Sequence, residues 1–130
     1  MKALLLVLVI AALGVGCQSN PTAASLPATL TIAPGESATA DSVRVTFVKV
    51  TSDTRCPINA LCIQAGDAVA QFRITVRGNE ATSDLTLVDP TRRSTIVGGV
   101  TIEFDNLQPH PVAGETTDPK TYRATVTIRQ

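Results

Sequence analysis

The stretch that decides the fold is Ala68-Val69-Ala70-Gln71-Phe72-Arg73-Ile74-Thr75-Val76-Arg77, followed by Gly78-Asn79. Apolar side chains occupy every second position from Ala68 to Val76, and polar residues fill most positions between them. This period of two is typical of a strand with one buried face. Gly78-Asn79 predicts a turn into a second strand at residues 82–88, so the segment is interpreted as a β-hairpin.

The same alternation recurs along the chain, and no stretch after the N-terminal segment has a helical apolar stripe. The other predicted strands are residues 28–33, 36–40, 41–51, 94–97, 100–105 and 122–129. A change of parity at Phe47-Val48 predicts a β-bulge there. Seven or eight short strands separated by turns predict an all-β fold, a single antiparallel β-sandwich that is immunoglobulin-like or small barrel-like. Alternation alone does not separate a sandwich from a barrel.

The N-terminal segment has the features of an export signal. Lys2 precedes an uncharged apolar run at residues 3–13, and small residues then lead to Cys17. The run is short for a transmembrane helix, which needs about 20 apolar residues. A Cys after a small residue at this place resembles the lipobox of bacterial lipoproteins, in which the thiol is acylated and the chain is cut before it. We therefore predict a lipoprotein signal peptide at residues 1–16 and lipidation of Cys17.

The alternative is an ordinary secretory signal that leaves Cys17 as a free thiol, but three Cys in an exported chain favour a lipidated Cys17 and one disulfide. Residues 17–27 are rich in Ser, Thr, Asn, Ala and Pro and are interpreted as a flexible tether to a β-sandwich domain at residues 28–130. The predicted location is the bacterial cell envelope, with the membrane contacted through the N-terminal lipid. Gln18 after the lipidated Cys resembles lipoproteins sent to the outer membrane, where the host has one.

Charge and composition argue against nucleic acid as a partner. Eleven Lys and Arg balance eleven Asp and Glu, and the chain has three Phe, one Tyr and no Trp. Nucleic-acid binding needs a basic surface or an aromatic stacking platform, and neither is evident. The remaining partner classes are an unidentified envelope protein or ligand.

The most distinctive segment is the cysteine loop, residues 53–68. In an exported chain, Cys56 and Cys62 are expected to form a disulfide that staples the connection between two strands. A redox dithiol would have C-x-x-C spacing at a helix N-terminus, which this segment lacks. A metal site would need more ligands than these two Cys and the distant His110, so no metal and no cofactor is predicted.

Within the cysteine loop lies the pattern Asp-x-Arg-Cys-Pro, four residues, Cys, two residues, Ala-Gly, then an acidic residue. This pattern resembles a motif of small uncharacterised bacterial lipoproteins and secreted proteins, and the resemblance implies a β fold without implying an activity. Where those proteins carry Trp and an aromatic between two Pro, this chain has Gln64 and His110. Asp53 and Arg55 form the candidate binding loop; alternatively, they pair with each other and cap backbone groups. Gly66 is expected in a turn with positive φ.

No catalytic constellation is evident. His110 is the only histidine, and the sequence places no nucleophile or orienting group beside it. We therefore predict a non-catalytic binding or structural module at the cell envelope. The alternative is an inhibitor or regulator of an envelope enzyme such as a protease, with the proline-rich residues 107–120 as the inserting loop.

Overall fold

The computed structural model describes residues 24–130. Residues 1–16, predicted as a signal peptide, and Cys17, predicted to be lipidated, lie outside the described residues, as does most of the predicted tether. Contacts with the folded part begin before Ala28, because Ala24 forms a bridge with Ala40 and its carbonyl accepts a hydrogen bond from the Asp41 amide.

The described residues form eight strands and one short 3₁₀ turn at Pro119–Thr121. The strands are β1 Ala28–Ile32, β2 Ser37–Ala40, β3 Val43–Asp53, β4 Ala68–Val76, β5 Asn79–Thr86, β6 Ser94–Val97, β7 Val100–Gln108 and β8 Arg123–Arg129. They build two antiparallel sheets, in the orders β1-β8-β7-β6 and β2-β3-β4-β5. The predicted β-sandwich is confirmed, and the described strands do not close into a barrel.

Side-chain alternation places the core between the sheets, as expected for strands with one buried face. All five inward-facing residues of β4, from Ala68 to Val76, are fully buried. The centre is aromatic: Phe47 and Phe72 stack within one sheet at 5.4 Å between ring centroids. Phe104 of the other sheet meets Phe72 edge-on at 5.2 Å. These contacts join the sheets at the middle of the sandwich.

The predicted bulge in β3 is confirmed, since the register with β4 shifts between Phe47 and Lys49. A second shift between Val50 and Ser52 had no signal in the apolar pattern. The β4–β5 turn lies one residue earlier than predicted: Arg77 and Gly78 occupy it with φ of 47° and 84°, and Asn79 already pairs with Val76. Two successive positive φ values suit a two-residue hairpin loop because its twist matches that of the strands.

The two ends of the sandwich carry different parts of the chain. The N-terminal pole holds Ala24 beside Ala40, the start of β1 and the end of β8. The turn at Gly98 also lies there, because the position of a Gly98 Cβ is 3.0 Å from the Val76 side chain at the end of β4. The opposite end is the loop pole. It carries the cysteine loop, residues 87–93 between β5 and β6, and residues 109–122 between β7 and β8. β4 runs from one pole to the other. Its nine residues span about 26 Å from first to last, at roughly 3.3 Å per step.

Candidate functional site: the loop pole

A disulfide closes the cysteine loop, as predicted. Cys56 and Cys62 are bonded, with their Cα atoms 5.9 Å apart. Below this ring, Thr54 and Asp67 close the base of the loop: the Thr54 amide donates to the Asp67 carbonyl at 2.8 Å, and the Asp67 amide donates to Thr54 Oγ1 at 3.1 Å. The loop is thus constrained at two levels, by a covalent bond and by the hydrogen bonds between Thr54 and Asp67.

Gly66 allows this closure, but not for the reason expected. The expectation of positive φ is wrong, since Gly66 is not among the glycines with positive φ. A Cβ at this position would lie 1.6 Å from the Thr54 carbonyl oxygen, well inside van der Waals contact. The residue is therefore required by the close approach of two backbone segments at the base of the loop.

Asp53 and Arg55 form a buried ion pair at the start of the loop. Arg55 Nε donates to Asp53 Oδ1 at 2.8 Å and Arg55 Nη2 donates to Oδ2 at 2.7 Å, a bidentate arrangement. The Arg55 and Asp53 side chains are only 7% and 9% exposed. Two further guanidinium hydrogens go to the end of β7, at the Leu107 carbonyl (2.6 Å), and to the β7–β8 connection, at the Pro109 carbonyl (3.0 Å). Arg55 thus ties the cysteine loop to that connection.

Tyr122 completes this cluster by donating its hydroxyl to Asp53 Oδ2 at 3.0 Å. Burial alone would raise the pKa of Asp53, but the hydrogen bonds and positive charge of Arg55, together with the Tyr122 hydroxyl, lower it overall. Burial and the hydrogen bond to Asp53 raise the pKa of Tyr122. Asp53 is therefore held as a carboxylate and Tyr122 as a neutral donor near neutral pH.

Asp67 fixes the connection between β5 and β6 at the loop pole. Its Oδ1 accepts hydrogen bonds from the Leu87 and Val88 amides, both at 3.0 Å, and its Oδ2 accepts from the Asp89 amide at 3.4 Å. A carboxylate that accepts hydrogen bonds from several backbone amides provides partners for the amide groups that follow the end of β5. Residues 87–89 are thereby fixed against the base of the cysteine loop.

The disulfide ring also contacts residues 109–122 directly. The Ile58 amide donates to the Pro111 carbonyl at 3.0 Å, and the Ala113 amide donates to Asn59 Oδ1 at 2.7 Å. The segment considered above as an inserting loop is consequently attached to the cysteine loop along its first half. The cysteine loop, residues 87–93 and residues 109–122 thus belong to one hydrogen-bonded unit.

This unit presents large aliphatic side chains to solvent. Leu61 and Ile63, on either side of Cys62, are fully exposed, and Ile58 is 70% exposed. No charged or aromatic residue occurs at residues 56–66. Beside the ring lies a hollow of about 310 Å³, lined by Arg55, Cys56, Ala65, Gly66, Leu87, Val88, Asn106 and His110. Large apolar groups that a fold leaves exposed together are typical of an interaction surface.

The candidate residues of the sequence analysis take distinct places in this arrangement. Asp53 and Arg55 bond to each other and to groups inside the domain, which agrees with the second interpretation given for them, that they pair and cap backbone groups. A binding role for the loop around them stays a prediction. His110 lies at the edge of the cluster, its Nδ1 3.4 Å from Arg55 Nη1. Sequence reasoning missed the exposed tip, Leu61 and Ile63. The available signal was two aliphatic residues flanking a Cys in a segment too short for a strand.

The described residues hold no cluster of three or more His, Cys, Asp or Glu placed to bind a metal ion. Within residues 24–130 no helix is long and apolar enough to cross a membrane. Comparison of the chain with protein-family models, with curated proteins and with solved structures gives no match.

Proposed function

We propose that this protein is a non-catalytic binding module, held at the bacterial cell envelope by a lipid on Cys17, which binds its partner through the loop pole. The observation that carries the proposal is the full exposure of Leu61 and Ile63 on a loop that is otherwise held in place by a disulfide and by hydrogen bonds. A loop ordered before binding loses little conformational entropy when it meets a partner. An exposed apolar tip on such a loop suits recognition.

The position of the anchor supports this arrangement. The described chain begins at Ala24 on the N-terminal pole, and Gln130 follows β8 at the same pole. A lipid on Cys17 would lie seven residues before Ala24, so it would hold the N-terminal pole near the membrane. The loop pole then projects away from that membrane, toward other components of the envelope.

The test is affinity capture from crosslinked membranes of the native host, with the full chain as bait. The informative variant is the double substitution Leu61→Asp with Ile63→Asp, because these side chains have no role in the core. Ile96→Asp is the matched control, since Ile96 is a 72% exposed aliphatic residue on β6. A protein retained by the wild type and the control but lost with the double variant supports the proposal. Identical recovery from all three baits contradicts it.

Alanine substitutions at Asp53 and Arg55 are unsuitable for this test. They would leave buried polar groups without partners and disturb both the cysteine loop and the β7–β8 connection. Loss of binding in such variants would not distinguish a binding residue from a structural one. Substitutions at the exposed tip avoid this ambiguity.

One specific observation also favours an inhibitor of an envelope protease as the second candidate. A disulfide-closed loop with an exposed aliphatic residue can enter an active-site cleft without unfolding, and here Leu61 sits in such a loop. The inserting segment would then be the cysteine loop, because residues 109–122 are mostly polar and tied to it. Measured inhibition of purified envelope endopeptidases from the host, abolished by Leu61→Asp and kept by Ile96→Asp, would favour this candidate. No inhibition by the wild-type protein would exclude it.

A further inference from the structure

We infer that Leu61 and Ile63 insert into an uncharged, apolar groove on a second, different protein, located on the side of this domain that faces away from its membrane. This inference rests on the proposed function and names the chemistry of the partner. It follows from the composition of the tip, its position relative to the N-terminal chain, and the way its charged neighbours are neutralised.

The tip itself selects an apolar partner. Leu61 and Ile63 are fully exposed, and no charged group occurs at residues 56–66 to interact with a charged surface. Burying one such side chain on binding strengthens association by roughly 10- to 150-fold. Both side chains retain that capacity because the fold covers neither of them.

The two charges that flank the tip are already satisfied. The Arg55 guanidinium donates to Asp53 and to two carbonyl oxygens, and the Asp67 carboxylate accepts from four backbone amides. The hollow beside the disulfide ring is lined by apolar groups such as Leu87 and Val88, by Asn106 and His110, and by Arg55, whose charge is paired with Asp53. An apolar centre depleted of charge, with polar groups around it, is the anatomy of a protein–protein interface.

A lipid surface suits this tip less well than a protein groove. Segments that lie in the membrane interface combine apolar side chains with Lys or Arg and with Trp or Tyr, which contact the headgroup region. The tip has neither kind of residue, and the one cation of the loop, Arg55, is buried. The tip also lies at the pole opposite Ala24, about 26 Å from the pole that the anchor would hold.

The chain's own N-terminal residues do not account for the exposed tip either. With Cys17 as the first residue of the lipidated protein, seven residues precede Ala24, and they span at most about 25 Å when fully extended. That reach is needed merely to run the length of the sandwich, and the cysteine loop extends beyond the ends of the strands. The partner is therefore a separate molecule.

The experiment is site-specific photocrosslinking in the native host with the full-length chain. p-Benzoylphenylalanine replaces Leu61 or Ile63 in turn, and replaces Ile96 as the control on β6. The crosslinked peptide of the partner is identified by mass spectrometry. The affinity of the purified partner is then measured for the wild type, Leu61→Asp, Ile63→Asp and Ile96→Asp, each checked for an unchanged melting temperature.

We expect positions 61 and 63 to give the same protein adduct through an uncharged apolar segment, and position 96 to give none. Each Asp substitution at the tip should weaken binding about 100-fold or more, since it forfeits the burial and places a charge in the groove. Ile96→Asp should bind like the wild type. Labelled lipid, an adduct between two copies of this chain, or no adduct from positions 61 and 63 would overturn the inference.

The two proposals fail in different ways. If capture retains a protein that the double variant loses, but positions 61 and 63 crosslink to a charged segment of that protein, the proposed function stands and this inference is wrong. If capture retains nothing that depends on the loop pole, the proposed function itself is wrong.

Discussion

Replacing Arg55 by Met tests whether the buried ion pair holds the loop pole together. The substitution keeps most of the side-chain length but removes the hydrogen bonds to Asp53 and those to the Leu107 and Pro109 carbonyls. Asp53 would keep only the Tyr122 hydroxyl among its present side-chain partners. A buried carboxylate that loses its cation is strongly destabilising because its desolvation is no longer compensated.

Removing one member of a buried pair costs about 3–5 kcal/mol. The two side chains are 7% and 9% exposed, so water can reach part of the vacated space, and we expect the lower end, about 3 kcal/mol of unfolding free energy. This is a large share of the roughly 5–15 kcal/mol that stabilises a typical domain. Asp53→Asn should cost less, because the amide still accepts from Tyr122 and Arg55.

The assay is urea unfolding at pH 7 of a soluble form that starts at Gln18. Arg129→Met is the matched control. Arg129 also bonds a carboxylate, that of Glu103, but it is 51% exposed, and an exposed pair contributes about 1 kcal/mol or less. The double variant Asp53→Asn with Arg55→Met should lose less stability than the sum of the single losses, by at least about 1 kcal/mol. A loss below about 1 kcal/mol for Arg55→Met, equal to that of Arg129→Met, would refute the reasoning.

Three further predictions concern other parts of the chain. Gly66→Ala should lower the unfolding free energy by about 3 kcal/mol or more, because the added methyl would overlap the Thr54 carbonyl. Gly114→Ala, which meets open space but keeps a φ of 82°, should cost about 1 kcal/mol; equal losses in thermal unfolding would contradict the steric explanation. The lowered pKa of Asp53 means that its contribution is present above its unfolded-state pKa, about 4, and is lost as pH falls through the lower folded-state pKa. Unfolding free energy should therefore fall more steeply below pH 4 in the wild type than in Asp53→Asn, and parallel curves would contradict this. Cys17→Ser should abolish incorporation of radiolabelled fatty acid in the native host, and retained label would show that lipidation is not at this residue.

Most of the fold could be predicted from local patterns. The short strands at residues 28–33, 36–40 and 94–97 were placed within a residue or so, and the bulge at Phe47-Val48 was predicted from a change in side-chain parity. Period-two alternation carries this information because each strand has one face in the core. The choice of a sandwich over a barrel required the strand order of the two sheets, which depends on pairings between residues far apart in sequence.

The site was less accessible to sequence reasoning. Asp53 and Arg55 were selected as candidates, but their burial depends on Leu107, Pro109 and Tyr122, more than 50 residues away. No local pattern encodes which carbonyl oxygens a guanidinium will meet. Charged residues in a loop are usually solvated, so sequence alone could not show that these two are internal.

By itself, the sequence determined the all-β class, the approximate positions of most strands, the Cys56–Cys62 disulfide and the neutral composition that argues against nucleic-acid binding; β5, expected at residues 82–88, is Asn79–Thr86. Only the tertiary structure decided that Asp53 and Arg55 are buried and join the cysteine loop to distant segments. It also decided that Gly66 is needed for a close backbone contact, and that Leu61 and Ile63 are exposed to solvent. The physical reason is that alternation and cysteine number are local or compositional properties. Burial of a charge or exposure of an aliphatic residue depends on which distant segments approach it.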